Sequence, residues 1–147
     1  MPRLFDRLFS TKPVTAPALE RIDVDLYEGD ATLEVVGESY RQDVLWDIVG
    51  GECDEPVRHH TVAILLPEPT NTYDENAIMV LIRGQLVGYL SRADAAAYLP
   101  GLLRLIDSCE TGIVALNATI VGGGEQADGR GRLGVFLDHD PRDFGLV

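Results

Sequence analysis

Ten consecutive residues, 68–77, concentrate side chains that can bind either their own backbone or an external ligand. Asn71, Asp74 and Asn76 carry oxygens that accept hydrogen bonds from amides one or two residues ahead, and these residue types tolerate left-handed backbone conformations. Composition therefore allows two interpretations. The stretch is a wide hairpin loop that caps itself, or it is a loop that carries a binding site between two rigid strands.

The rest of the sequence offers no complete catalytic or metal-binding set. Cys53, His59 and His60 lack a fourth donor at a spacing that zinc sites use. The Asp-His-Asp run at 138–140 resembles part of a hydrolytic set, but no nucleophile accompanies it, so we interpret it as part of a solvated acidic tail. The glycine pattern at 129–134 leads into a predicted strand, whereas a dinucleotide fingerprint opens a helix. We therefore expect a non-catalytic protein without a metal or other cofactor.

Short runs of branched apolar residues predict the strands that hold the polar loop. One strand is predicted over 60–66 before the loop and another over 77–82 after it. Arg83-Gly84 then forms a tight two-residue turn into a return strand at 85–90, in which Gly88 marks a bulge or a close backbone approach. Similar runs predict strands over 31–36, 113–121 and 133–137.

Two helices are predicted between these strands. A capping box that begins at Ser39 precedes a short helix predicted over 40–49. Ser91 is the expected N-cap of a second helix, which we expect Pro100-Gly101 to break. Six strands and two short helices without a repeated βαβ unit predict a mainly β (α+β) fold built on a small six-stranded barrel.

The composition describes an acidic protein of one domain. The chain has 147 residues and a net charge of −12, which opposes indiscriminate binding to phosphates. Two distant cysteines form no disulfide framework, as expected of a reduced, cytoplasmic protein. We place the domain at 31–138, an N-terminal amphipathic segment with its linker at 1–30, and a C-terminal tail at 139–147.

The N-terminal segment carries an apolar helical stripe. Three interpretations stay open: a frayed tail, a helix docked on the barrel, or weak contact with a membrane or partner. Two helical turns cannot hold a membrane alone, and no apolar run reaches the ~18 residues of a membrane span, so we expect no stable membrane insertion. The stripe consists of Leu4, Phe5, Leu8 and Phe9.

The polar loop and its flanks resemble a HIRAN domain. The order Glu-Pro-x-Asn-x-Tyr-Asp-x-Asn-Ala-Ile-x-Val covers 68–80, Val-Gly-Tyr-Leu-Ser-Arg follows at 87–92, and Val-Gly-Glu-Ser-Tyr-Arg at 36–41 matches upstream. The resemblance, over roughly 33–137, implies an OB-like barrel. Members at the front of fork-remodelling DNA ATPases capture a single-stranded DNA 3′ end. This chain is similar to the stand-alone bacterial members.

The resemblance also implies that three segments meet at one rim of the barrel. Tyrosines there offer faces for base stacking, and arginines can bind phosphate oxygens. The Asn and Asp side chains can bond a terminal 3′ hydroxyl and a base edge, and a carboxylate would repel a 3′ phosphate. The implied DNA-binding residues are Tyr40, Arg41, Asn71, Tyr73, Asp74, Tyr89 and Arg92.

Structural alternatives exist for these residues and for the function. Tyr40 could be a lid over the barrel core, Arg41 and Arg92 could pair with carboxylates, and Asp74 could only close the loop through an Asx turn. The acidic charge favours a different module, one that binds a protein or peptide and no nucleic acid.

Overall fold

The computed structural model describes residues 22–126 and 129–147, in which strands predominate. The N-terminal stripe predicted at residues 4–9 lies outside the described part. No helix in that part is long and apolar enough to cross a membrane. The elements in chain order are β1 (Asp25–Leu26), β2 (Ala31–Val36), a first 3-10 helix (Glu38–Tyr40), α1 (Gln42–Ile48), β3 (Pro56–Pro67), β4 (Ile78–Ile82), β5 (Gln85–Leu90), α2 (Arg92–Ser108), β6 (Val114–Gly123), β7 (Glu125–Gln126), β8 (Gly129–Arg130), β9 (Leu133–His139) and a second 3-10 helix (Pro141–Phe144).

Six of these strands close into an antiparallel barrel. The neighbours follow the order β6, β3, β4, β5, β2, β9, and β9 pairs again with β6 to complete the ring. β1 adds two residues to β6 in parallel, and β7 pairs with β8 as a separate small hairpin. The predicted mainly β fold with a six-stranded barrel and two helices is confirmed.

The core lies inside the barrel and under the two helices. Alternate residues of the strands point inward, as Leu33 and Val35 of β2 do between exposed neighbours. β4 is buried along its whole length because its outer face is covered as well. α1 buries Leu45, Trp46 and Ile48, which join the same cluster. This continuous core holds the strand ends that carry the polar loop.

The hairpin after the polar loop has the predicted turn and the predicted irregularity. Arg83 and Gly84 both have positive φ, 54° and 75°, as a tight hairpin turn requires. The register between β4 and β5 shifts after Val80, which is a β-bulge. A Cβ on Gly88 would lie 2.5 Å from the Val36 carbonyl oxygen, so only glycine lets β2 approach β5 here.

The first helix begins later than the capping box predicted. Ser39 lies within the 3-10 helix, and α1 begins at Gln42 with Arg41 as its N-cap and no side-chain cap bond. The Gln42 side chain instead donates to the Leu133 carbonyl at 2.8 Å and accepts from the Leu133 amide at 2.9 Å. The Gln42 side chain, which a capping box would use, is therefore bonded to a residue 91 positions away along the chain.

The second helix has the predicted cap but not the predicted break. Ser91 Oγ accepts from the Asp94 amide at 3.1 Å, which confirms the N-cap. The prediction that Pro100-Gly101 interrupts the helix is wrong, because α2 runs unbroken from Arg92 to Ser108. Burial of Tyr98 and Leu102 on either side holds the helix through the proline, at the cost of one backbone hydrogen bond.

The closing segment, residues 139–147, is packed and not a solvated, irregular tail. His139 is fully buried, Phe144 is 1% exposed, and residues 141–144 form a 3-10 helix. The His139 Nδ1–H donates to the Ala31 carbonyl at 3.0 Å, so Nε2 accepts from the Tyr98 hydroxyl at 2.7 Å. The prediction failed because these contacts join residues far apart in sequence. The proposed domain boundaries stay predictions.

Candidate functional site

The polar loop continues the β3–β4 ladder and then closes on itself. The Glu68 amide donates to the Ala77 carbonyl at 2.9 Å, one step beyond the last paired residues of the two strands. Inside the loop, the Asn71 amide donates to the Glu68 carbonyl at 3.0 Å and the Ala77 amide to the Asp74 carbonyl at 3.1 Å. Two turns therefore fill the space between the strands and give the loop one defined shape.

Asn71 organises this loop through both ends of its side-chain amide. Its Oδ1 accepts from the amides of Tyr73 at 2.8 Å and Asp74 at 3.0 Å. Its Nδ2 donates to Glu68 Oε1 at 2.6 Å. Asn71 thus holds the loop from within, and its acceptor is already used by the backbone.

Asp74 also contributes to the loop, as one of the sequence alternatives proposed. Its Oδ1 accepts from the Asn76 amide at 3.0 Å, which is an Asx turn. The residue is half-buried and lines the cavity described below. A structural role and a ligand-binding role are compatible, because the other carboxylate oxygen is a separate acceptor.

Glu68 connects the loop to β5 and was missed as a site residue. The Tyr89 hydroxyl donates to Glu68 Oε1 at 3.1 Å, on the same oxygen that accepts from Asn71. Burial raises the pKa of Tyr89, the bond to Glu68 raises it further, and the positive charge of Arg41 opposes this. Arg41 therefore lies close enough to act on the Tyr89 hydroxyl. The sequence signal for Glu68 was its place at the first position of the loop motif.

Arg92 ties the start of α2 to the loop. Ser91 fixes the first turn of α2, and Arg92 follows it directly. The Arg92 Nη2 donates to the Tyr73 carbonyl at 2.5 Å. Its partner among the described residues is thus a backbone oxygen and not the carboxylate that the alternative interpretation required. Guanidinium has five donors, so most of them remain for a ligand.

Five of the seven predicted residues line one open cavity of about 400 Å³. This volume lies in the range of small-ligand sites. Buried Ala77 and Leu90 supply apolar wall, while Tyr73 at the rim is 86% exposed. The lining residues are Asn71, Tyr73, Asp74, Ala77, Tyr89, Leu90 and Arg92.

Tyr40 and Arg41 lie outside this cavity lining. Tyr40 ends the first 3-10 helix and is 86% exposed, which excludes the interpretation of Tyr40 as a lid over the core. Arg41 is half-buried at the start of α1, and its positive charge opposes the rise in the pKa of Tyr89. Among residues 22–126 and 129–147, no cluster of three or more His, Cys, Asp or Glu side chains could hold a metal ion.

Comparisons with known proteins identify the family. No curated protein matches this chain. The HIRAN domain of human HLTF has 20% identity over 80% of this chain and 81% of its own, with a TM-score of 0.39. A Lactobacillus plantarum structural-genomics protein has 21% identity over 76% of this chain and 96% of its own, also with a TM-score of 0.39. A profile of the HIRAN domain matches residues 29–126. This span is about two thirds of the sequence, and the chain therefore belongs to the HIRAN domain family.

Proposed function

We propose that this protein is a non-catalytic module that binds the 3′ end of single-stranded DNA in the cavity between the polar loop and α2. The family is known for nucleic-acid binding. The observation that carries the proposal is the convergence of Tyr73, Asp74, Tyr89 and Arg92 on one cavity of about 400 Å³. These side chains supply an aromatic face, an acceptor for a hydroxyl and a cation for phosphate.

Three of these side chains contact the DNA in the proposed complex, each in a different way. Exposed Tyr73 stacks on a base, a contact worth about 1–3 kcal/mol. Arg92 bonds the last internucleotide phosphate with the donors that Tyr73 does not occupy. Asp74 accepts from the terminal hydroxyl, and its negative charge disfavours a phosphate in that place. Asn71 and Glu68 support these groups and have no direct role.

The surrounding charge limits the affinity. Arg92 is the one basic residue in the cavity lining, Arg41 lies outside that lining, and the chain has a net charge of −12. Few phosphates are neutralised, so binding should be weak and its salt dependence shallow, with a slope of about −0.7 per phosphate contacted.

Fluorescence anisotropy at low salt tests the proposal with two matched oligonucleotides, one ending in a 3′ hydroxyl and its 3′-phosphorylated twin. The hydroxyl form should bind more tightly. Asp74→Ala should remove most of this difference, because the repelling carboxylate is gone. Equal and negligible binding of both oligonucleotides by the wild type would refute the proposal.

Arg92→Ala provides the test of phosphate binding. It should weaken the binding of every oligonucleotide alike, by about 1–3 kcal/mol if the charged hydrogen bond is made. Arg58→Ala is the matched control, because Arg58 is an exposed arginine of β3 that does not line the cavity. An equal loss in both variants would mean that the net charge, and not the site, governs binding.

A second candidate function is a protein or peptide interaction module without nucleic-acid binding. The acidic charge favours it, because nucleic-acid binders usually present a basic surface. The same exposed Tyr73 and the same cavity would then accept a peptide side chain. A pull-down from the native cytosol in which Tyr73→Ala loses the captured protein, together with negligible oligonucleotide binding, would favour this function.

A further inference from the structure

The outward-facing side of α2 is apolar from Ala93 to Leu103, between the exposed residues Arg92 and Arg104. The five residues that form it, here called the outer stripe, are all exposed, and none is charged. Their spacing of three and four residues puts them on one face of the helix. The exposed face of a surface helix is normally polar, and a continuous exposed apolar surface marks an interaction site. The outer stripe consists of Ala93, Ala96, Ala97, Pro100 and Leu103, of which Leu103 is 50% exposed.

The described chain begins beside the C-terminal end of α2. Asp25 Oδ1 accepts from the Thr111 amide at 2.9 Å, and Asp25 Oδ2 accepts from the Glu110 amide at 3.3 Å. These two amides lie two and three residues beyond the end of α2 at Ser108. β1 is thereby fixed next to that helix end, and residues 1–21 join the barrel there.

The lengths match those of a short amphipathic helix on the outer stripe. The stripe extends about 15 Å from Leu103 back to Ala93, and nine helical residues cover about 13 Å. The twelve residues 10–21 link position 9 to Ile22, and a random-coil chain of twelve residues spans about 20 Å. The stripe begins only five residues before the end of α2, so the linker can reach it without strain.

Charge favours the same arrangement. Residues 1–21 carry four basic and two acidic side chains, so the remaining 126 residues carry 8 and 22. A segment of net charge +2 is therefore joined to a body of net charge −14. At the end of α2 where the segment joins, Asp107 and Glu110 are exposed together with one base, Arg104. Opposite charge attracts the segment to this end of the barrel.

We propose that residues 1–9 dock on the outer stripe of α2 in the same chain. The apolar face that packs against the outer stripe consists of Leu4, Phe5, Leu8 and Phe9. Docking is favourable because it buries two apolar faces that would otherwise both be exposed to water. This contact is independent of DNA binding, since the outer stripe contributes nothing to the cavity lining.

Limited trypsin digestion of the full chain tests the contact at the Arg7–Leu8 bond, with the released N-terminal peptide followed by mass spectrometry. Lys12 precedes Pro13 and gives no competing cut nearby. The wild type should be cut slowly, because cleavage requires the undocked form. Leu103→Glu should speed this cut about tenfold, as would follow from a loss of about 1.4 kcal/mol of docking free energy.

Val62→Glu is the matched control, because Val62 is an exposed apolar residue, 38% accessible, on β3. It should leave the rate at Arg7 unchanged. Equal rates in the wild type, Leu103→Glu and Val62→Glu would overturn the proposal. Protection of the wild type that disappears on dilution would mean docking onto a second copy, and protection that requires anionic vesicles would mean a lipid surface. Either result would also overturn it.

Amide chemical shifts give a second measurement on the intact chain. Leu8→Asp should change the amide shifts of Ala93, Ala96 and Ala97 and leave those of the polar loop unchanged. Shift changes confined to another surface, or absent from α2, would contradict docking on the outer stripe even if the digestion rates agreed.

Discussion

The polar loop at 68–77 and the closing segment at 139–147 are both short and polar, but their contacts reach very different distances along the chain. Every hydrogen bond that shapes the loop from within joins residues at most nine positions apart. The closing segment contacts residues 31, 98, 101 and 104. One region is organised locally, and the other is organised by the rest of the fold.

This difference suits what each region does. The loop places Tyr73 and Asp74 at the rim and rests on the barrel through Glu68 and Arg92. It can therefore change without unfolding the core. The closing segment inserts Phe144 against the rings of Tyr98 and His139, at centroid distances of 5.2 and 6.1 Å. We expect changes there to lower global stability and changes in the loop to alter binding.

Phe144→Ala should have the largest effect on stability. The ring is 1% exposed and contacts two other aromatic rings, so its loss should cost about 3–5 kcal/mol of unfolding free energy. Urea denaturation followed by circular dichroism measures this. Asn71→Ala is the comparison in the loop, and its loss of local hydrogen bonds should cost about 1–2 kcal/mol. If Phe144→Ala lowers the free energy of unfolding by no more than Asn71→Ala does, the proposed difference between the two regions is wrong.

The parts of the fold that depend on near neighbours could be predicted from the sequence. Apolar runs in β2, β4 and β5 gave strands close to the observed ones because side-chain alternation and burial act within each strand. The polar loop was predictable for the same reason, since Asn71 and Asp74 bond amides two or three residues ahead. Five of the seven predicted site residues do meet at one cavity.

The features that could not be predicted from the sequence depend on contacts between residues far apart in the chain. Nothing near Gly101 indicates that the Phe144 carbonyl packs on it, and nothing near His139 indicates Ala31 or Tyr98 as partners. Glu68 was missed because its role depends on the Tyr89 hydroxyl, 21 residues away. At these three residues, contacts with distant parts of the chain determine the structure, and local composition does not.

Gly101→Ala should destabilise the protein although the site is inside a helix. Alanine normally favours a helix over glycine by about 1 kcal/mol. Here an added Cβ would lie 2.2 Å from the Phe144 carbonyl oxygen, so the closing segment must move, at a cost of about 1–3 kcal/mol. Thermal denaturation measures the change. Pro100→Ala, at the exposed neighbour, is expected to change stability in the opposite direction, and a gain in both variants would contradict the packing of Phe144 on α2.

Because His139 is buried, the free energy of unfolding should decrease as the pH falls below 6.5. Burial lowers the pKa of His139, although the bond to Ala31 and the charges of Asp140, Asp94 and Asp138 oppose this. The unfolded chain then binds the proton more readily than the folded chain. The stability that neutral His139 contributes is therefore complete above about pH 6.5, and it is lost as the pH falls towards the lower pKa of the folded state. The loss can reach about 1.4 kcal/mol per pH unit within that window.

Urea midpoints at pH 7.5 and 5.5 measure the histidine contribution. The wild type should lose stability between them, and His139→Gln should lose less. His60→Gln serves as the control, because His60 is exposed on β3 and its removal should leave the wild-type difference in place. A wild-type midpoint that does not change would show that folding does not exclude the proton from His139.

Tyr73→Ala should have the smallest effect on stability and a clear effect on binding. The ring is 86% exposed, and the loop uses only the Tyr73 backbone, whose amide bonds Asn71 and whose carbonyl bonds Arg92. Truncation should therefore change the unfolding free energy by no more than about 0.5 kcal/mol. The affinity for a 3′-hydroxyl oligonucleotide should fall by about 1–3 kcal/mol, because one stacked base is lost. Denaturation and fluorescence anisotropy on the same preparation measure the effect on stability and the effect on affinity separately. A stability loss as large as that of Asn71→Ala would mean that the loop needs the ring for its shape, and unchanged affinity would remove Tyr73 from the proposed site.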